Sequence, residues 1–353
     1  MSRIILNSAD LDGYLTKQDN DSLLKVAKVF EKAENIFKDM ESNKSESKYS
    51  NHEKELIDVY NEIGGLLQEI IGEEEHIKVY SFSTPKESHG EVSRLISKLR
   101  DPATERFEFI YYIQRAYELL FNLAFSNSDL SRKNYIISKT AVNIPMQNYA
   151  VHKIPDVDQE INNAVMCVML RGALLPSMIM SKEIQEYSSA NYVTPFALFR
   201  IKRDDTKRES DMEYILDLER SFFDLKTLND KTLIFADPMN ATGGSLITIV
   251  KYLREQGVRP KAVKFINIIS ALKGSLRIVR ALEDVSVYTL WMDPVLNDAA
   301  YILPGLGDAG DRINGTDVEN ASRNIIQLLA DYGSNITSLY RAQVRKIEEM
   351  VLG

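Results

Sequence analysis

Five short apolar runs constrain this chain more than any other feature: AVMCVML (164–170), FALFRI (196–201), KTLIFAD (231–237), KAVKFINII (261–269) and VSVYTLW (285–291). Each is short for a helix and too evenly apolar for a strand with one wet face, so each predicts a strand buried on both faces. Between the third and fourth runs, SLITIVKYLREQG (245–257) puts Leu246, Ile249, Val250 and Leu253 on one helical stripe, with Gly257 as its stop. Buried strands alternating with helices predict an α/β fold with a mostly parallel sheet flanked by helices.

The flanks have a different texture. Residues 1–80 predict helices: Leu23, Val26, Phe30, Ala33 and Phe37 form one stripe, which Asp21 or Ser22 would cap. A polar linker (41–51) and a second helix weakened by Gly64-Gly65 complete a helical hairpin for oligomer contact or regulation. Two helices broken at Asp101-Pro102 come next, and residues 134–154 read as two strands around a turn near 145–148. The charge-dense stretch 200–224 reads as an excursion beside the sheet, and its cluster from Lys202 to Arg208 as a solvated loop or a lid. Helical texture returns after Thr316, where Thr316 and Glu319 have capping-box spacing. The expected organisation is thus an N-terminal helical extension (1–80), a central domain (81–316) and a C-terminal helical extension (317–353).

Composition narrows the function classes. A formal net charge of −8 argues against broad nucleic-acid binding, so an anionic ligand needs local cations or backbone N–H groups. Cys167 is the single cysteine, which excludes an internal disulfide and a thiolate cluster and reads as a buried core thiol. The first fifteen residues show no secretory pattern, and the longest apolar stretches, split by Arg171, are too short to span a bilayer. A cytoplasmic protein without membrane contact is expected.

The third apolar run ends in a loop, DPMNATGGS (237–245). It lacks the lysine of a Walker A loop and the three spaced glycines of a dinucleotide turn. Ala241 to Ser245 can instead present successive N–H groups and two hydroxyls to one phosphate monoester at a helix start. Asp237, at the strand's carboxyl end, is then placed for the hydroxyls of a ribose whose 5-phosphate is docked. This spacing reads as a pentose-phosphate grip, with a structural turn as the alternative.

The same loop resembles the ribose-phosphate loop of the uracil phosphoribosyltransferase family, where proline replaces the second acid of the usual pair, as Pro238 does here. YILPGLGDAGDRINGT (301–316) is similar to that family's base-recognition segment, MLRGALLPS (169–177) to its pyrophosphate-side loop, and ALFRIKRDD (197–205) to its arginine strand end. The matches fall in family order over residues 82–316. The resemblance implies a type I phosphoribosyltransferase fold with a small hood near 134–160, and transfer of phosphoribose from phosphoribosyl diphosphate (PRPP) to uracil. It implies that Arg171 and Arg200 hold the diphosphate, and that Asp237, Pro238, Met239, Asn240, Ala241, Thr242, Gly243, Gly244 and Ser245 hold the ribose 5-phosphate. Tyr301, Ile302, Gly307, Asp308 and Ala309 would contact uracil, with Asp308 also facing PRPP; Asp308 and Arg171 would carry catalysis. Mg²⁺ would be bound mainly through PRPP and water, with few ligands taken directly from protein and Asp308 organising its waters or the ribose. The resemblance further implies a homo-oligomer, dimer or tetramer, and admits GTP as an effector.

Departures from the family pattern are local. Gly172-Ala173-Leu174-Leu175-Pro176 stands where Ala-Gly-Leu-Gly follows the arginine, and Asn240 stands where leucine is common. TKRESDMEY replaces the usual Thr-Leu-Glu-Pro-Val, and Val295 and Ala300 replace glycines. These changes keep open transfer to another pyrimidine-like base, or a non-catalytic regulator that binds PRPP or nucleotide.

Overall fold

The computed structural model describes residues 3–42, 46–125, 133–139, 141, 149–170 and 172–314. Packing divides the chain into residues 1–313 and 314–353. The helices expected over 317–353, with the cap at Thr316, lie outside the described residues.

In chain order the first unit begins with β1 (Arg3–Asn7), α1 (Ser8–Asp12), α2 (Lys17–Ser42), α3 (Glu46–Gly72) and β2 (Ile77–Val79). Next come α4 (Tyr80–Ser83), α5 (His89–Arg100), α6 (Arg106–Phe125), β3 (Lys133–Lys139), β4 (Tyr149–Pro155) and α7 (Asp158–Ile161). The central part runs β5 (Ala164–Leu170), α8 (Leu174–Tyr187), β6 (Phe196–Arg203), β7 (Glu213–Phe222), α9 (Leu225–Leu228), β8 (Thr232–Ala236) and β9 (Met239–Asn240). It closes with α10 (Gly244–Glu255), β10 (Ala262–Ala271), α11 (Leu272–Ala281), β11 (Val285–Asp293), β12 (Val295–Leu296), β13 (Ile302–Leu303) and α12 (Ala309–Asn314).

Nine strands among the described residues form one sheet in the order β1-β7-β6-β5-β8-β10-β11-β2, with β9 also beside β10. The pairings from β6 to β2 are parallel, while β7 and β1 add antiparallel at one edge. All five apolar runs are strands of this sheet, and every residue of β5 and β8 is buried. That burial follows from cover on both faces: α6 and α8 pack on one, α10 and α11 on the other. Cys167 lies in this core with its thiol pKa pushed up by burial. As the resemblance implies, the core is a mostly parallel sheet flanked by helices. The chain leaves β5 through α8 toward β6, but leaves β8 through α10 toward β10. The winding therefore reverses between β5 and β8, which opens a crevice at their carboxyl ends. Strands β3 and β4 pair apart from the main sheet, where the hood was expected; residues 142–148 of their turn are outside the described set.

Three expectations need correction. The N-terminal eighty residues are helical but also supply β1 and β2, one at each end of the sheet. Val26, Phe30, Ile63 and Leu67 share a hydrophobic core with Phe235, Leu246 and Leu276, while Phe37 at the stripe's end is 36% exposed. The stripe is thus consumed inside the chain. Helix α2 begins earlier than the stripe suggested. Its cap is Thr16, whose hydroxyl accepts from the Asp19 N–H (3.0 Å) while the Asp19 carboxylate accepts from the Thr16 N–H (2.8 Å). Helix α3 starts at Glu46, inside the supposed linker, and runs through Gly64-Gly65.

The third correction concerns residues 200–224, which complete β6 and form β7. Tyr214 and Leu216 are buried while Glu213, Ile215 and Asp217 between and beside them are half-buried, the alternation of a strand with one covered face. The charge cluster is tied down: Lys207 pairs with Glu213 (2.6 Å), and Glu209 with Lys273 (2.9 Å).

Candidate active site

The candidate residues gather at the crevice made by the winding reversal. Strand β8 ends at Ala236, and the Asp237 N–H continues the sheet by donating to the Ile266 carbonyl (3.1 Å). The Asp237 carboxylate accepts from the Met239 N–H (3.1 Å), which turns the chain out of the strand. Burial pushes this carboxyl up to about 6; the Met239 N–H and Arg203 oppose the shift, and Asp308 adds to it. The charges of Arg203 and Asp308 are thus felt at Asp237.

The loop beyond Asp237 is held from below. The Pro238 carbonyl accepts from the N–H groups of Ile268 and Ile269 (3.1 Å each), and Met239 and Asn240 pair with β10. Asn240 turns inward, its amide donating to Ser270 Oγ (2.9 Å) and Ser275 Oγ (3.4 Å), while Ser270 Oγ donates to Asn267 Oδ1 (2.8 Å). Its side chain anchors the loop and leaves only backbone for a ligand. Gly243 has φ +76°, and a Cβ there would sit 2.8 Å from the Gly274 carbonyl oxygen. Helix α10 begins at Gly244. Among the described residues, no protein acceptor takes the N–H groups of Ala241 to Ser245. Unpaired N–H groups at a helix start form an anion cradle.

The base segment hangs from different supports. Tyr301 is 42% exposed, and its N–H and carbonyl are both used by Asn297, through Oδ1 (2.9 Å) and N–H (2.9 Å). Ile302 is buried in the short β12–β13 ladder, which leaves its backbone as the part that would meet a base. Gly305 has φ +65° with the Ile302 carbonyl 2.3 Å from where a Cβ would be, and its N–H donates to Asp293 Oδ2 (2.9 Å). Asp293, itself buried, is paired with Arg100 (2.5 Å). Gly307 and Asp308 are exposed, and Ala309 is buried. Asp308 caps α12: its carboxylate accepts from the Asp311 N–H (2.9 Å) and its carbonyl from the Arg312 N–H (3.0 Å). Arg312 lies over the Phe109 ring (4.1 Å) and donates to the carbonyls of Leu306 (3.0 Å) and Asp101 (2.8 Å), fastening the segment to α5 and α6.

On the diphosphate side, Arg171 lies outside the described residues. A Cβ on the next residue, Gly172, would be 3.6 Å from Gly310 Cα, so this loop and the base segment touch. Arg200 sits opposite Leu170 and Asp217 in the sheet, and its N–H donates to Ser221 Oγ (2.9 Å). The residue missed from sequence is Arg203. Its guanidinium donates to the Ala300 carbonyl (3.3 Å), pairs with Asp205 (3.2 Å) and lies 5.8 Å from the Tyr301 ring centroid. Strand alternation was the available signal: residues 199, 201 and 203 share one face and Arg200 the other.

The site therefore joins an anion cradle, two carboxylates and a cation at the carboxyl ends of parallel strands. A family model for uracil phosphoribosyltransferase matches residues 86–316. The chain is 32% identical over 232 residues to the uracil phosphoribosyltransferase of Campylobacter fetus, covering 65% of this chain and 96% of that protein. It is 31% identical over 233 residues to that of Campylobacter concisus, with the same coverage. To that of Dictyoglomus turgidum it is 30% identical over 230 residues, covering 65% of this chain and 97% of that protein. The motifs, the crevice and these matches agree, and the chain belongs to the uracil phosphoribosyltransferase family.

Proposed function

We propose that this protein is a uracil phosphoribosyltransferase that makes UMP and diphosphate from PRPP and uracil. The observation that carries the reading is the set of unpaired N–H groups from Ala241 to Ser245 beside Asp237, a grip sized for one ribose 5-phosphate. In the reaction the ribose C1–O bond to diphosphate breaks while a bond from C1 to uracil N1 forms. The N1 proton goes to solvent or the departing diphosphate. Positive charge grows on the ribose and negative charge on the leaving group, so positioning and fixed electrostatics dominate catalysis. Asp237 faces the ribose hydroxyls, Arg200 and Arg171 the diphosphate, and the backbone of the base segment reads the uracil edge. Arginine suits the diphosphate because its planar fork gives paired donors and stays charged.

Mg²⁺ fits the residues present. The Asp308 charge adds to the upward shift of the Asp237 carboxyl, and no group of three or more metal-ligating side chains gathers among the described residues. Asp237 and Asp308 would hold a divalent ion that is bound mainly through diphosphate and water. When bound, it would neutralise charge on the leaving diphosphate. Exposed apolar residues on β3 and β4, including Ile136, Ile137 and Val151, support a homo-oligomer, which light scattering would test. No described helix is long and apolar enough to cross a membrane; a cytoplasmic location is part of the proposal.

The deciding assay mixes protein, PRPP and Mg²⁺ with a panel of bases, with and without GTP, and follows products by mass. UMP formed with uracil alone is expected; turnover of another pyrimidine instead would reassign the base. Ligand binding without any turnover would leave a regulator. Asp308→Asn and Arg171→Ala should each cost at least ~2 kcal/mol of transition-state stabilisation, read from kcat/KM.

A further inference from the structure

The segment that departs most from the family pattern, TKRESDMEY, ends in a residue that touches the phosphate loop. Tyr214 is wholly buried in β7, and its hydroxyl lies 2.6 Å from Thr242 Oγ1, within a pair of groups shut off from solvent. Its ring occupies the place of a side chain at Gly244: a Cβ there would fall 2.2 Å from two ring carbons. The ring thus lies against the first residue of α10, and the hydroxyl reaches the residue two before it.

Hydroxyl chemistry gives this contact a direction. A threonine hydroxyl has one proton and two lone pairs, while a phenol is the better donor of the two. With Tyr214 donating, one Thr242 lone pair is occupied and the Thr242 proton must point elsewhere. Thr242 is itself a residue of the cradle, whose N–H groups from Ala241 to Ser245 take no protein acceptor among the described residues. A phosphate there accepts from Thr242 while Thr242 accepts from Tyr214, and each bond in such a chain polarises the other. The geometry also has a brace: Leu6 of β1 pairs opposite Tyr214, and the Ser8 N–H donates to the Met212 carbonyl (2.8 Å).

We propose that Tyr214 is a positioning residue for the sugar phosphate, holding the Thr242 hydroxyl so that it donates to the 5-phosphate of phosphoribosyl diphosphate. The inference rests on the proposed reaction only for the identity of the substrate; the phosphate contact itself is tested with simpler ligands. Tyr214 touches no reacting atom and acts through Thr242.

The test is calorimetry with ribose 5-phosphate and, separately, with diphosphate plus Mg²⁺, on the full chain. Tyr214→Phe keeps the ring against Gly244 and deletes only the hydroxyl. It should raise the Kd for ribose 5-phosphate about tenfold, the scale of one hydrogen bond in a charge-assisted chain. Diphosphate binding and the KM for uracil should change less than about twofold, within the scatter of one weak contact. Thr242→Val should reproduce the loss, Thr242→Ser should restore binding, and Tyr214→Phe should add nothing in the Thr242→Val background. Unchanged ribose 5-phosphate binding in Tyr214→Phe overturns the proposal, as does an equal loss for both ligands or an additive loss in the double variant. Should Tyr214→Phe fail to fold, the Val and Ser variants of Thr242 decide alone: equal affinities for ribose 5-phosphate would overturn it. Phosphate selectivity as expected, without UMP formation by the parent protein, would leave this inference standing and remove the proposed reaction.

Discussion

The phosphate loop and the base segment both turn on glycines, yet they are held in opposite ways. The loop is clamped by neutral groups from beneath: Asn240 on Ser270 and Ser275, Tyr214 on Thr242, and Gly274 pressed against the Ala241 carbonyl. The base segment is slung from charges: Asp293 holds Gly305 and is held by Arg100, and Arg312 ties Leu306 to the start of the next helix. A neutral, interlocked clamp gives one geometry that suits an invariant phosphate. A charged sling leaves Tyr301, Gly307 and Asp308 exposed, which suits the proposed traffic of base and metal-bound water.

The largest expected effect comes from cutting the sling. Asp293→Ala strands Arg100 and frees the Gly305 N–H, and should destabilise the fold by about 3–5 kcal/mol, as breaking a buried pair does. Denaturant unfolding reads this, and the KM for uracil should rise more than that for PRPP. An equal rise in both would erase the division of labour.

Next is Gly274→Ala, which breaks the clamp. Its Cβ would lie 2.2 Å from the Ala241 oxygen, so the loop or α11 must move, at about 1–3 kcal/mol for overpacking. Here the KM for PRPP should rise and that for uracil should hold. Asp237→Asn should have a comparable effect on stability but with the opposite sign. The carboxyl titrates at about 6 in the fold, above its ordinary 3.8, so the folded state holds the proton more tightly. Ionisation is then unfavourable to folding, by almost nothing below about pH 4 and by on the order of 3 kcal/mol above pH 6. The Asn variant should melt higher than the parent at pH 7.5, with the gap closing as pH falls from 6 to 4. Its activity should fall, since the carboxylate is proposed to meet the ribose; a higher melting point with full activity would remove Asp237 from the site.

The smallest change is a control outside both segments. Gly64→Ala and Gly65→Ala in α3 meet nothing within 4 Å and should each stabilise by about 0.5–1 kcal/mol without altering either KM. A kinetic effect would show that the N-terminal helices reach the site.

Legibility followed the kind of pattern each element carries. β5, β8 and β10 are buried on both faces and read as unbroken apolar runs, so they stand out. β7 has one covered face, and its Tyr214-Leu216 alternation was drowned by Glu213, Asp217 and Glu219. β1 and β2 span five and three residues, too few for a period to show. Arg203 was overlooked beside Arg200, although they point to opposite sides of one strand and only Arg203 reaches Tyr301.

The sequence by itself determined the order of the site's parts: an acid, a glycine turn and a helix start are contiguous, which puts their N–H groups in one loop. The tertiary structure alone decided which side chains face that cradle. Asn240 looked like a loop residue and became an anchor, because Ser270 and Ser275 lie thirty and thirty-five residues away on other elements. Tyr214 looked like part of a charged excursion and became the neighbour of Thr242, because β7 enters the sheet beside β6. Such contacts depend on strand register and on how elements stack, which local spacing does not encode.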